Sequence, residues 1–164
     1  MIARIALLIL FLVSMLFDLR KREVPIFLTV TGLVGSGLYA LINGLWAPAL
    51  LTIILTLVSD FNPRVKRLAI AMISSVIASF VQPGGVVICA TIFSVWLLWE
   101  FDILGGADAK LLIAAVLVLG NPAVLIPISI AGGIQGVIAS LQKKKDIPFV
   151  VSIFWGTLLF VLYT

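Results

Sequence analysis

The sequence predicts an all-α protein, a single bundle of six to eight transmembrane helices filling residues 1–164 as one domain. Three observations lead there. The chain is 63% apolar and 11% charged, with mean hydropathy +1.31, whereas about a quarter of the residues in soluble domains are charged. Long apolar runs recur from end to end, and about 20 such residues cross a bilayer as a helix, a form that satisfies every backbone polar group in lipid. The positive charges fall in short clusters between the runs, as they do in proteins oriented by their loops.

The elements follow in order. Residues 2–17 form the first run, broken only by Arg4, and Arg20, Lys21 and Arg22 stop it at once. It lacks a small-x-small cleavage site, so it reads as a retained helix and not as a signal peptide. Residues 24–42 form the second, with Pro25 suited to a first turn and Gly32, Gly35 and Gly37 as a thin face for packing. Asn43-Gly44 is a turn. Residues 45–59 and 68–81 are shorter, joined by residues 60–67; they read as two short spans, with a re-entrant pair as the alternative. Gln82-Pro83-Gly84-Gly85 is a loop. Residues 86–101 span next, with Trp96 and Trp99 placed as interfacial anchors. A helix over 108–119 breaks at Gly120-Asn121-Pro122. Residues 123–141 follow, with Gly132 and Gly136 in small-xxx-small spacing. Lys143, Lys144, Lys145 and Asp146 make a charged loop, and residues 148–163 form the last run.

Placing the loop after the first span in the cytoplasm tests this map. The loops on that side then hold Arg20, Lys21, Arg22, Arg64, Lys66, Arg67, Lys110, Lys143, Lys144 and Lys145, which is 10 of the 11 positive charges. The positive-inside rule asks for such an asymmetry. The net charge of +4 is therefore a matter of orientation and gives no reason to expect nucleic acid. A chain with no histidine cannot build His-based zinc sites or Ser-His and Cys-His nucleophile pairs, and no metal or cofactor is expected. The lone Cys89 lies within an apolar run and reads as a small hydrophobic filler.

Two carboxylates stand out. Asp108 follows Gly105-Gly106 between two apolar runs, and a carboxylate at the bilayer centre costs roughly 2.5–3.5 kcal/mol on insertion scales, so it marks a candidate site. Asp18 lies at the C-terminal end of the first helix, where the macrodipole disfavours negative charge by a few tenths to about 1 kcal/mol. An even number of spans separates the two, whether Leu45 onward makes two spans or a re-entrant pair, so both reach the cytoplasmic membrane edge. Gly105 and Gly106 allow a sharp bend and the close approach of another chain. Two neighbouring aspartates share a proton, so one can activate a water while the acid form polarises a carbonyl. From spacing alone the competing reading stands beside this one: Asp18 balanced by Arg20 and Arg22, and Asp108 capping a helix.

Asp18-Leu19-Arg20-Lys21-Arg22-Glu23-Val24-Pro25 resembles the first signature of the type IV prepilin and archaeal preflagellin peptidases, an Asp seven residues before a Pro after the first span. Gly105-Gly106-Ala107-Asp108-Ala109-Lys110 resembles their second, Gly-x-Gly-Asp followed by a Lys. Ile147-Pro148-Phe149 and the apolar run with Gly156 resemble the family's C-terminal segment. Ala107 departs from the second motif glycine, and Ile26 stands where an Asn often follows the Pro. The 90-position separation of the aspartates exceeds that of the compact form of the family, which suggests that residues 45–81 hold an inserted helical pair. The resemblance implies a membrane aspartyl protease of the GxGD type with Asp18 and Asp108 catalytic. It would remove a short basic leader from pilin-like or archaellin precursors at the cytoplasmic face, with Gly105, Gly106, Glu23 and Asp102 on the substrate side and Glu100 near them. Members that also N-methylate their product carry paired Cys-x-x-Cys motifs in an extra segment. One cysteine makes a stand-alone peptidase the expectation, with a homo-oligomer left open.

Two other classes compete. A non-catalytic transporter or assembly subunit would use the same aspartates for ion or partner binding. A presenilin-like intramembrane protease shares the second motif, but its first aspartate belongs within a span, whereas Asp18 sits at an edge beside three basic residues.

Overall fold

The computed structural model describes residues 1–142 and 148–164; the expected charged loop (Lys143, Lys144, Lys145 and Asp146) and Ile147 lie outside the described residues. Among the described residues the regular structure is helical throughout. The helices are α1 (Ile2–Lys21), α2 (Ile26–Ile42), α3 (Trp46–Val58), α4 (Arg64–Val81), α5 (Val86–Glu100), α6 (Gly106–Leu119), α7 (Leu125–Leu141) and α8 (Phe149–Tyr163). Short 3₁₀ turns at Pro83–Gly85 and Pro122–Val124 precede α5 and α7. Three segments, Ile2–Lys21, Pro83–Glu100 and Pro122–Leu141, are long and apolar enough to cross a membrane.

Each expected run is a helix; α2 starts at Ile26 after Pro25, α7 at Leu125 after its 3₁₀ turn, and two other starts bear on the site. α4 begins at Arg64 and not at Leu68, so Arg64, Lys66 and Arg67 occupy its first turn. Positive charge there opposes the macrodipole. Glu100 at the end of α5 offsets it, with Oε1 3.2 Å from Arg64 Nε and 2.7 Å from Arg67 Nη2. α6 begins at Gly106, two residues before the expected start, which makes Asp108 its third residue.

α6 is the axis of the bundle. A helix that is apolar on every side is stable only when surrounded, and Ala109 and residues 111–117 are all buried. α1, α2, α3, α5 and α8 pack around it. The outer helices bury much narrower stripes. α1 buries Leu7, Phe11, Ser14 and Asp18, and α2 buries Thr29, Leu33, Ser36 and Ala40, in each case positions that share one helical face. Their outward faces are apolar as well: Met72, Ile73, Val76, Ile77 and Phe80 of α4, and Ile126, Ile130, Ile134 and Val137 of α7, are all exposed. A soluble monomer rarely displays apolar surface on that scale.

Polar contacts define two ends. At one, Trp96 Nε1 donates to Ser59 Oγ at 3.0 Å and Arg67 Nη1 donates to the Ser59 carbonyl at 2.9 Å, joining the ends of α3 and α5 to the start of α4. At the other, Gln82 Nε2 donates to the Gly44 carbonyl at 2.6 Å, and its Oε1 accepts from the Ala47 N–H at 3.0 Å. α3 and α4 thus form a hairpin whose open end is tied by Gln82 and whose turn is tied to the end of α5. Arg20, Lys21, Arg22, Arg64, Lys66, Arg67 and Lys110 belong to the first end, and Arg4 to the second.

Three expectations change. Trp96 is 1% exposed and anchors the α3–α5 junction inside the bundle, not a lipid interface. Of the α2 glycines only Gly32 is a close contact, against Leu10, while Gly35 and Gly37 border open space. In α7, Gly132 meets the Phe149 ring but Gly136 touches nothing. The close glycine approach is instead at Gly156 of α8, where a Cβ would run into the Ile128 backbone. Gly156→Ala is therefore expected to destabilise the bundle by about 1–3 kcal/mol through overpacking. Gly136→Ala is expected to be neutral or to stabilise by up to about 1 kcal/mol. Thermal unfolding of the two variants in detergent checks the contrast.

Candidate active site

Asp18 faces inward because it continues the buried stripe of α1, one turn beyond Ser14, and it is 9% exposed. Its backbone carbonyl accepts the Arg22 N–H at 2.9 Å, closing α1 with Arg22 in the left-handed conformation at φ 56°. The electrostatic penalty expected at this helix end has a counterweight. The Val150 N–H lies on the Asp18 side of a shared cleft, and Val150 is the second residue of α8. A helix N-terminus has unsatisfied N–H groups and a positive pole. The negative end of α1 and the positive end of α8 thus meet at this one side chain, with the Arg22 guanidinium adding attraction.

Asp108 enters from the other side of the same end. Gly105 is the N-cap of α6 in extended conformation (φ −63°, ψ 143°), and its carbonyl accepts the Ala109 N–H at 2.9 Å. The Asp108 carboxylate leans back over Gly105, so that a Cβ at position 105 would lie 3.1 Å from Oδ2. Gly106 lies beneath the Trp99 indole, where a Cβ would be 3.0 Å from Nε1. Both glycines are therefore places of close approach, one to a carboxylate and one to a ring.

Asp18 and Asp108 line one cleft of about 510 Å³, and their charges repel across it. Gly105, Gly106 and Ala107 form one wall, Phe149 and Val150 another. Arg22, Glu23, Val24 and Ile26 close the rim. Four of the residues singled out in the sequence beside the aspartates behave differently from one another: Gly105, Gly106 and Glu23 border this cleft, and Asp102 does not. Asp102 lines a separate pocket with Ser59, Arg64, Arg67, Trp99 and Glu100. Glu100, 7% exposed at its side chain, is held by two arginines and so offers little net attraction to a basic peptide. Among the described residues no group of three or more His, Cys, Asp or Glu is placed to hold a metal ion.

Sequence reasoning missed the wall made by Phe149 and Val150. Pro148 just before an apolar run signals a helix start, and hence free N–H groups, but nothing local says which carboxylate those groups meet. Trp99 was also read only as an anchor, although it packs on Gly106 and lies under the Lys110 ammonium, 5.5 Å from the ring centre. Comparisons with protein-family models, curated proteins and solved structures return no match to this chain.

The contact with α8 gives Asp18 a structural duty that can be measured apart from any chemistry. Asp18→Ala removes the carboxylate that faces the N-terminus of α8 and is expected to lower stability by about 1 kcal/mol, as loss of a helix cap does. Asp18→Asn keeps an amide oxygen in place and should retain most of that stability. Thermal unfolding of the purified variants reads the difference.

Proposed function

We propose that this chain is a membrane aspartyl endopeptidase that cuts a short basic leader from pilin-like or archaellin precursors, using Asp18 and Asp108 to activate water. The observation that carries the reading is the shared cleft: two aspartates 90 positions apart face one space with the glycine pair beside them. The resemblance of both stretches to the prepilin and preflagellin peptidases supports it. All eight helices are read as membrane spans, with the cleft at the cytoplasmic face. The gathering of the basic residues at the cleft end supports that orientation.

The chemistry follows from the pair. One carboxylate takes a proton from a water in the cleft as its oxygen attacks the scissile carbonyl carbon. The other, in its acid form, hydrogen-bonds to the carbonyl oxygen and stabilises the developing tetrahedral centre. The C–N bond then breaks, and the departing amine takes the proton held by the first carboxyl. Two carboxyls facing one cleft titrate as a unit, so the base and acid roles belong to the pair. Among the described residues, Glu23 is the acidic side chain that lines the cleft beside the dyad and would draw a basic leader toward it. No cofactor is assigned to the reaction.

The non-catalytic reading, a transporter or assembly subunit, is favoured by one observation: Asp18 already has a structural role at the start of α8. Asp108 separates the two readings, since it carries no such contact. Co-expression with pilin-like and archaellin-like precursors, scored by the size shift on leader removal, is the test. Asp18→Asn and Asp108→Asn are each expected to reduce cleavage at least about 100-fold while the protein still accumulates in membranes. Processing at the normal rate by Asp108→Asn would remove the dyad and leave the non-catalytic reading.

A further inference from the structure

A second concavity lies away from the aspartates, between α2 and α3, with a volume of about 270 Å³. Its walls are apolar side chains of the two helices, from Val30 and Leu57 at the cleft end to Leu41 and Ala49 at the other. Two threonines in it have already committed their hydroxyls: Thr52 donates to the Pro48 carbonyl at 3.0 Å and Thr56 to the Thr52 carbonyl at 2.8 Å. Gly37 keeps the middle open, since a Cβ there would meet nothing within 4 Å. The single charged group on the lining is Lys110. It is two residues beyond Asp108, so α6 turns the carboxylate into the cleft and the ammonium to a different side.

Lys110 rests against the Trp99 ring, 5.5 Å from its centre, and it takes part in neither of the ion pairs made by Glu100. An ammonium at the head of an apolar groove calls for an occupant with an anion at one end and hydrocarbon along the rest. The groove has the length for it. From Val30 to Leu41 a helix rises about 16 Å at 1.5 Å per residue, close to half of the roughly 30 Å hydrocarbon core of a bilayer. Val34, Leu38, Ile53 and Leu57 on its flanks are exposed, so the groove opens sideways, toward lipid.

We propose that the α2–α3 groove binds one acyl chain of an anionic phospholipid whose phosphate pairs with Lys110. The inference rests on the membrane reading and on the placing of the cleft end at a headgroup layer; it does not depend on peptidase activity. The lipid would pack along the two helices that lean on α6, directly behind the first turn that carries Asp108.

The test uses the full chain reconstituted in nanodiscs of equal parts phosphatidylcholine and phosphatidylglycerol, then extracted, with retained lipid counted by native mass spectrometry. The wild type is expected to keep phosphatidylglycerol in preference to phosphatidylcholine. Lys110→Ala should lower that preference about fivefold, the effect of one basic residue near an anionic surface, and Lys110→Arg should keep it. Gly37→Leu, with Lys110 intact, should fill the groove and lower retention of both lipids. Inorganic phosphate in excess should displace nothing. An unchanged preference in Lys110→Ala, or displacement by inorganic phosphate, overturns the proposal. So does crosslinking of Ile53→Cys to a second copy, which would put protein in the groove. Failure of the wild type to enter nanodiscs at all would overturn it together with the membrane reading, an outcome distinct from a lost preference in inserted protein.

Discussion

Everything in this bundle depends on burying α6 on all sides. Residues 111–117 present apolar side chains in every direction, and no single neighbour can cover more than one face of a helix. Five helices therefore gather around it. That arrangement has a consequence at its start. The first turn of α6 emerges where the surrounding helices end or begin, and its third residue, Asp108, is carried to the rim on the most constrained element of the fold. A candidate site built on such a helix is held more precisely than one on a loop.

Asp18 arrives by a different route. Its helix is peripheral, and only the narrow stripe through Leu7, Phe11 and Ser14 is buried. A carboxylate in the last turn of that stripe is unfavourable for α1 taken alone. The start of α8 lies against that side chain, so its helix pole opposes the pole of α1 there. One helix end thus meets another at a single side chain. α7 and α8 are locked together at Gly156, where the helices approach backbone to side-chain position. The placement of α8, and with it the Val150 N–H, follows from that crossing.

The first turn of α6 also divides two environments. Asp108 faces the polar cleft, and Lys110, two residues on, faces an apolar groove between α2 and α3. Trp99 stands between them, over Gly106 on one side and under the Lys110 ammonium on the other. A small residue at 106 is needed because an indole occupies the space where a side chain would go. The glycine pair therefore has two separate physical reasons, neither of which is backbone flexibility alone.

The helices were legible in the chain because apolar run length and turn residues are local quantities. Pro25, Asn43-Gly44, Gly120-Asn121-Pro122 and Pro148 mark boundaries wherever the chain is folded. The two aspartates were legible as candidates because charge within an apolar context is costly in any arrangement, and their shared end followed from counting spans. The stripe spacing of α1 was also present in the sequence, and it alone directs Asp18 inward. Contacts between distant segments could not be read that way. That Val150 meets Asp18, that Glu100 is neutralised by Arg64 and Arg67, that Asp102 turns to a separate pocket and that Trp96 is buried against Ser59 each depend on which helix lies beside which. Local pattern determines what a segment is and which side it buries; only packing decides which neighbour is there to meet it, because many apolar faces fit one another almost equally well.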